Sequence, residues 1–209
     1  MTLTRITALS TVAAAALVLG FATVTPSVAQ MKNDAMKNDA KTSDKPVTVG
    51  GAPMYASKNI IQNAVNSKDH TTLVAAVKAA GLVDTLQGAG PFTVFAPTNK
   101  AFEKLPKGTV ETLLKPENKA KLTGVLTYHV VAGRLSAKDL MDAAKKDGGK
   151  HKLKTVQGEE LTVSAEGNKL TVWDSKGNRA NITVQNVFQS NGVIHVVDSV
   201  LLGALADDG

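Results

Sequence analysis

The stretch from Asn191 to Leu202 constrains the fold more than any other part of the chain, because it is almost continuously apolar. It reads Asn-Gly-Val-Ile-His-Val-Val-Asp-Ser-Val-Leu-Leu, and β-branched residues dominate it. Such a run is typical of a strand that is covered on both faces, since a strand with one wet face alternates apolar and polar residues. We therefore expect a central strand around which the rest of the chain packs.

Two polar residues, His195 and Asp198, interrupt this predicted strand. A buried polar group without a hydrogen bond costs roughly 1–3 kcal/mol, so both side chains need partners. We expect His195 to be a neutral imidazole bonded to backbone or to another histidine, and Asp198 to cap a backbone turn. The pair Asn191-Gly192 predicts a turn before the strand, because both residue types tolerate positive φ angles.

The first 29 residues have the pattern of a signal peptide. Arg5 precedes an apolar run from Ile6 to Val24, and Ser27-Val28-Ala29 supplies the small residues of a cleavage site. A membrane anchor is the alternative, although the run is near the short limit for a span and Pro26 ends it. The chain has no cysteine, which excludes a disulfide framework and a lipid-modified cysteine. We expect an exported protein, either periplasmic or extracellular.

Residues 30–47 are predicted to form a disordered spacer. The segment Met31–Ala35 recurs as Met36–Ala40, and the whole stretch has almost nothing to bury. The remaining residues, 48–205, suit one domain.

The order of periodic patterns within this domain indicates the α+β class. Helical stripes dominate its first half and are interrupted by one strong strand, Phe92–Ala96. From Lys152 onward the apolar residues alternate with polar ones, and Gly-containing connectors predict an antiparallel meander with one wet face. Helices first and strands later favour α+β over an alternating α/β fold.

Helix boundaries are predicted from capping residues. Ser57 is expected to cap a helix reaching Asn66, and Thr71 or Thr72 to cap one that ends before Gly81. Thr98 is expected to cap a helix from Asn99 to Leu105, with Pro97 and Phe102 as its hydrophobic staple. A further helix is predicted at Thr109–Leu114. The next is expected to start at Pro116 and to bury Leu122, Val125, Leu126 and His129. Ser136 and Asp139 are expected to open the last helix as a capping box.

The residues that could support catalysis are His129, His195, Asp198 and Ser199. A serine hydrolase needs a nucleophile bonded to a base, yet no Gly-x-Ser-x-Gly elbow occurs, and His195 and Ser199 would lie about 13 Å apart along one strand. Four histidines without cysteine, His-x-His or Glu-x-x-His give no metal-ligand spacing. The sequence therefore predicts no enzyme, no cofactor and no metal site.

One dense basic cluster stands out in a chain of formal net charge +6. It is predicted to be a loop that enters a strand, and it consists of Lys145, Lys146, Lys150, Lys152 and Lys154, with His151. The cluster is either a solvated loop or a contact for an acidic polymer or a lipid headgroup. Nucleic acid is not favoured, because the few aromatic residues are not interleaved with the basic ones.

Trp173, the only tryptophan, lies within the predicted meander. It either covers a second small apolar cluster or is an exposed aromatic residue of the kind used at interfaces. The sequence leaves both readings open.

Three motifs in this order resemble the fasciclin (FAS1) domain family. Phe92–Phe102 is similar to the family's first signature, Tyr128-His129-Val-Val to its central Tyr-His element, and Asn191–Asp198 to its second signature. The resemblance spans roughly residues 52–202. It implies a β-wedge of two mainly antiparallel sheets flanked by several short helices. It also implies that Thr98, Asn99, Phe102, His195 and Asp198 form a structural signature.

The resemblance further implies extracellular adhesion or surface association, with Tyr128, His129, Val130 and Val131 as the adhesion-linked segment. The helical stripe ending at His129 nevertheless predicts that this side chain faces inward. Many adhesive members carry tandem copies, which gain avidity, whereas this chain has one. We expect a non-enzymatic module that binds a surface or matrix protein or a polysaccharide, with peripheral membrane association open and the oligomeric state unknown. The alternative is a periplasmic carrier or sensor of a small apolar ligand held between helices and sheet.

Overall fold

The computed structural model describes residues 45–203. The predicted signal peptide, and the predicted spacer up to residue 44, lie outside the described residues. The first strand, β1 (Val47–Val49), starts at the last residue of that predicted spacer, because Val47 pairs with Met54 in β2 (Ala52–Met54). Between residues 45 and 203, no helix is long and apolar enough to cross a membrane.

The helices precede most of the strands, as the sequence predicts. They are α1 (Ile60–Ala64), α2 (Thr71–Ala80), α3 (Val83–Gln87), α4 (Asn99–Glu103), α5 (Thr109–Leu114), α6 (Lys119–Tyr128) and α7 (Ala137–Lys146), with 3₁₀ turns at Lys68–His70 and Pro116–Asn118. The remaining strands are β3 (Phe92–Pro97), β4 (Val130–Ala132), β5 (Lys150–Lys154), β6 (Glu160–Glu166), β7 (Lys169–Trp173), β8 (Arg179–Gln189) and β9 (Gly192–Val197).

Seven strands are hydrogen-bonded in the order β4-β3-β9-β8-β7-β6-β5, and β1 and β2 form a separate ribbon. Only the β3–β9 pair is parallel within the described residues, and the other pairs are antiparallel. Strand β8 belongs to both halves of the wedge, since residues 179–181 pair with β7 and Ile182 to Gln189 pair with β9. Irregular register between Ile182 and Val187 turns the strand between the halves. The α+β class and the predicted wedge are confirmed.

The strand β9 is buried on both faces, as the apolar run predicts, and all six of its residues are buried, but it ends at Val197 rather than at Leu202. On one side, Ile194 and Val196 join a core formed with helices α1, α2, α4 and α6. On the other side, Val197 joins a second core, in which α7 covers strands β5 to β8. The central position of β9 therefore follows from its almost unbroken apolar sequence.

The turn before β9 differs from the prediction, because neither Asn191 nor Gly192 adopts a positive φ angle. Glycine is needed here for close approach of two strands. A Cβ atom on Gly192 would lie 2.1 Å from the carbonyl oxygen of Phe92, its partner in β3. The parallel pairing of β3 with β9 therefore requires a residue without a Cβ atom at position 192.

Two predicted caps are wrong. Helix α1 starts at Ile60, later than predicted, and its N-cap is Asn59 in a capping box with Gln62, rather than Ser57. Helix α2 has no side-chain cap from the residue preceding it, and its first turn is bonded by a side chain from α4. The caps at Thr98 and Ser136 are confirmed, since their hydroxyl oxygens accept hydrogen bonds from the amides of Ala101 and Asp139, respectively.

Candidate functional site

Tyr128 ends α6 and is fully buried. Its hydroxyl donates a hydrogen bond to the Glu160 carbonyl oxygen over 3.2 Å and accepts one from the Ser175 amide over 3.1 Å. Burial is the main cause that raises the pKa of this hydroxyl. Tyr128 therefore joins the end of α6 to β6 and to the loop between β7 and β8.

His129 follows α6 and is buried, as the helical stripe predicts. Its Nε2 accepts a hydrogen bond from the Leu201 amide over 3.1 Å, so this nitrogen carries no proton. Its Nδ1–H donates to the Val125 carbonyl oxygen over 2.8 Å. Burial lowers the pKa of His129, which keeps the imidazole neutral. The ring thus joins α6 to the chain beyond β9.

The predicted adhesion-linked segment is buried throughout. Tyr128, His129, Val130 and Val131 expose at most 5% of their surface, and the two valines lie in β4. A partner cannot reach these side chains in the folded domain. The adhesive role implied by the resemblance stays a prediction, while the contacts seen for Tyr128 and His129 hold elements together.

His195 lies at the centre of the wedge, fully buried and stacked on Phe95 with ring centroids 5.9 Å apart. Its Nδ1 accepts a hydrogen bond from the Asn186 amide over 3.4 Å, and its Nε2–H donates to the Leu135 carbonyl oxygen over 2.9 Å. Burial lowers the pKa of His195. Both ring nitrogens are occupied by backbone groups, so the ring has no free nitrogen for a general base.

Asn186 is a site residue that sequence reasoning missed. It has a φ angle of 58° within the irregular part of β8, and its Oδ1 accepts a hydrogen bond from the Ala137 amide at the start of α7. The sequence did hold a signal, since the apolar alternation of Ile182 and Val184 shifts phase at Val187. A phase shift of this kind indicates a bulge.

Asp198 ties strand β8 to the end of β9. Its carboxylate accepts hydrogen bonds from the Asn181 amide and the Asn181 side chain, each over 2.9 Å, and from the Ser199 hydroxyl over 3.1 Å. Burial alone would raise the pKa of Asp198, but the hydrogen bonds from Asn181 and Ser199 and the nearby Lys104 charge lower it. The residue bridges two strands, which differs from the predicted turn cap.

Two asparagines of the signatures join separate elements, and the first, Asn99, joins α4 to the start of α2. Asn99 accepts hydrogen bonds at Oδ1 from the Thr72 amide and the Thr71 hydroxyl, and its Nδ2 donates to the Lys68 carbonyl oxygen. Of its neighbours in the first signature, Thr98 caps α4, and Phe102 packs in the core that the helices form with Ile194 and Val196.

Asn191 is the second of these asparagines, and sequence reasoning treated it only as a turn residue. Its Oδ1 accepts from the Ile60 amide over 3.1 Å, and its Nδ2 donates to the carbonyl oxygens of Leu86 and Gly88. It therefore fastens α1 and α3 to the start of β9.

The candidate catalytic set is not assembled. His129 and His195 bond to backbone groups, and the Ser199 hydroxyl donates to Asp198 rather than to an imidazole. Within residues 45–203, no cluster of three or more histidine, aspartate or glutamate side chains could hold a metal ion.

The basic cluster lies at the end of a helix and along a strand, so the prediction of a loop that enters a strand is right for the strand and wrong for Lys145 and Lys146. Lys145 and Lys146 end α7, and Lys150, Lys152 and Lys154 alternate along β5, the edge strand of the sheet. Strand β5 begins two residues before Lys152, where the alternating pattern was predicted to start, and Leu153 is its single buried residue. Lysine at alternate positions of an edge strand also discourages pairing with other chains.

The cluster makes few contacts with acidic groups. Lys152 pairs with Glu160 over 2.9 Å, and His151 Nδ1 lies 2.5 Å from the Asp147 carboxylate. The Nζ of Lys150 lies 5.4 Å from the ring centroid of Trp173.

The family model for the fasciclin domain matches residues 68–203. The chain belongs to the fasciclin (FAS1) domain family. Protein sll1483 from Synechocystis sp. is 42% identical, and the match covers 90% of this chain and 97% of that protein. Immunogenic protein MPB70 from Mycobacterium bovis is 40% identical over 66% of each chain. Cell surface glycolipoprotein MPB83 from the same species is 34% identical, with 77% of this chain and 67% of that protein covered.

A solved structure shows the same fold. The FAS1 domain pair from the insect cell adhesion molecule Fasciclin I matches with a TM-score of 0.62 at 19% identity. The match covers 69% of this chain and 50% of that chain.

Proposed function

We propose that this FAS1 protein is an exported, non-enzymatic binding module that attaches to a cell-surface or extracellular-matrix partner. The observation that carries the proposal is its membership of a family whose related proteins include a cell surface glycolipoprotein and, by fold, an insect cell adhesion molecule. The signal-peptide pattern of the first 29 residues supports export.

The contacts of the signature residues indicate which parts of the domain are available for binding. Tyr128, His129, His195 and Asn191 all direct their polar atoms to backbone groups of the same chain. These side chains set the relative positions of helices and strands. Recognition of a partner therefore belongs to the outer faces of the sheet and helices, where side chains are exposed.

The carrier alternative requires a cavity between the helices and the sheet. The apolar cavity found there among the described residues has a volume of about 10 Å³ and is lined by Val49, Met54, Val187 and Ile194, among others. That volume is about that of one water molecule and far below the 300–1,000 Å³ of typical small-molecule pockets. The described fold thus gives no support to a ligand carrier.

The proposal is tested by capture. The purified full chain is immobilised and incubated with cell-envelope and matrix fractions, and retained components are identified by mass spectrometry after a salt wash. We expect reproducible retention of a surface or matrix component that soluble full chain competes away. Retention of nothing above the level of a blocked resin would contradict the proposal. Native mass spectrometry of the same sample is a second check, since a co-purified small molecule would favour the carrier.

A further inference from the structure

The outward face of strands β5 to β8 carries a row of directly opposed residues. Arg179 in β8 pairs with Trp173 in β7, Trp173 with Thr162 in β6, and Thr162 with Lys152 in β5. Residues directly opposite each other in antiparallel strands place their side chains on the same face. Four strands spaced about 4.8 Å apart make this row about 14 Å long.

Trp173 forms a ridge between two open clefts on this face. Each cleft has a volume of about 610 Å³, and Trp173 lines both of them. Its indole Nε1–H donates a hydrogen bond to the Ser164 hydroxyl over 2.8 Å, which fixes the ring in place. The ring is only partly buried, so a fixed aromatic surface is accessible from the clefts.

Basic side chains flank this ring on both sides. Lys104 and Arg179 line the first cleft, and Lys150 and Lys152 line the second. Neither Lys150 nor Arg179 forms an ion pair with a carboxylate in the described part of the chain. The Lys150 ammonium lies 5.4 Å from the Trp173 ring centroid, and two cations without a carboxylate partner beside a fixed aromatic ring give a surface that attracts anions.

The acidic side chains that line the second cleft are already bonded. The Asp147 carboxylate contacts His151, and the Asp174 carboxylate accepts hydrogen bonds from the amides of Lys176 and Asn178. Neutral hydrogen-bonding groups complete the clefts, among them Thr162 and the side-chain oxygen of Asn178, whose Nδ2 donates to the Asp174 carboxylate over 2.9 Å. Both carboxylates keep their negative charge, but their oxygens are engaged within the chain, and the four lysine and arginine side chains that line the two clefts outnumber them.

We propose that this face, centred on Trp173, binds an anionic polysaccharide of the polyuronate type. The apolar C–H face of a sugar ring packs on the indole ring, the carboxylates pair with Arg179 and Lys150, and the hydroxyls bond Thr162 and Asn178. A row of about 14 Å accommodates more than one sugar ring. The inference rests on the proposed binding function and names the class of its partner.

The geometry favours a polysaccharide over a membrane or a nucleic acid. Membrane insertion needs an aromatic residue that projects freely, whereas Trp173 is held to the sheet by its bond to Ser164 and has polar neighbours in its row. Binding of single-stranded nucleic acid uses several stacked bases, and this face offers one aromatic ring.

The sole tryptophan of the chain provides a direct measurement, because all indole fluorescence comes from Trp173. The full chain is titrated with polygalacturonate, with the neutral polysaccharide dextran and with polyglutamate, which carries carboxylates without sugar rings. We expect polygalacturonate to change the emission saturably and to protect Trp173 from acrylamide quenching. Dextran and polyglutamate should bind roughly tenfold more weakly or not at all.

Variants separate the contribution of the ring from that of charge. Trp173→Ala should weaken polygalacturonate binding, measured by calorimetry, on the order of tenfold or more. The double variant Lys150→Gln/Arg179→Gln keeps the ring and should weaken binding roughly threefold to tenfold. The matched control Lys58→Gln/Lys78→Gln removes the same charge from exposed positions outside this face and should change binding by roughly twofold or less.

Several outcomes would overturn the proposal. Equal binding of polyglutamate, or equal losses in the two double variants, would show that net charge alone accounts for binding. Tighter binding to phosphatidylglycerol vesicles would identify a membrane surface instead. If Trp173→Ala retains an envelope component as well as the wild type does, binding does not depend on the Trp173 face. That result would refute the polysaccharide site and leave the proposed binding function intact. Failure of the wild type to bind any fraction would contradict the proposed function itself.

Discussion

Three buried histidines should make the stability of this domain fall in mild acid. Burial lowers the pKa of His70, His129 and His195 below the ordinary value of 6.5. The carboxylate of Asp69 raises the pKa of His70, and that of Asp174 raises the pKa of His129, but burial is the larger effect on both. The folded chain therefore keeps these imidazoles neutral at pH values where the unfolded chain protonates them.

The sign and size of the effect follow from proton linkage. The unfolded state binds more protons below pH 6.5, so the free energy of unfolding decreases as the pH falls from 6.5 toward the folded-state pKa values. Between pH 7.5 and 5.5, a histidine that stays wholly neutral in the fold lowers the unfolding free energy by about 1.4 kcal/mol, so three set an upper limit of about 4 kcal/mol on the effect. Above pH 6.5 this stability is fully present.

Urea denaturation, followed by circular dichroism at pH 7.5, 6.5 and 5.5, measures how the free energy of unfolding changes with pH. The midpoint should move to lower urea concentration as the pH falls, with an unchanged slope. His70→Gln, which removes one of the three titrating groups, should make the drop between pH 7.5 and 5.5 smaller, by at most about 1.4 kcal/mol. An unfolding free energy that is constant or rises toward pH 5.5 would show that the imidazoles are protonated in the fold.

Three substitutions test the contacts that position the wedge, each by the change in urea midpoint at pH 7.5. Gly192→Ala places a Cβ 2.1 Å from the Phe92 carbonyl oxygen and should destabilise by about 1–3 kcal/mol; wild-type stability would contradict the close approach of β3 and β9. Asn191→Ala leaves buried backbone groups of α1 and α3 without partners and should cost about 1–3 kcal/mol, whereas a neutral effect would deny its role as a fastener. Asn99→Ala removes the bond to the Thr72 amide and should cost about 0.5–2 kcal/mol, and no loss would show that α2 needs no cap.

Local patterns in the sequence predicted much of the secondary structure. The run at β9 predicted a strand buried on both faces, and the stripe in α6 predicted the inward position of His129, because both signals depend only on periodicity. Ser136 and Asp139 predicted the start of α7 because a capping box involves residues three apart.

Contacts between distant segments could not be predicted in the same way. The parallel pairing of β3 with β9, and the cap that Asn99 supplies to α2, each join residues far apart in sequence. Strand β5 starts at Lys150 rather than at the predicted Lys152, because only Leu153 supplies an apolar position among its lysines. The Trp173 surface likewise depends on four strands lying side by side, which only their pairing reveals.

Saturation binding of the purified full chain to cell-envelope and matrix fractions, measured by co-sedimentation across a salt series, decides whether the protein is a surface or matrix binding module. We expect saturable binding to at least one fraction, competed by unlabelled protein and weakened as salt screens the basic sheet face. Binding to neither fraction at any salt concentration would contradict the assignment of this FAS1 protein as a surface or matrix binding module.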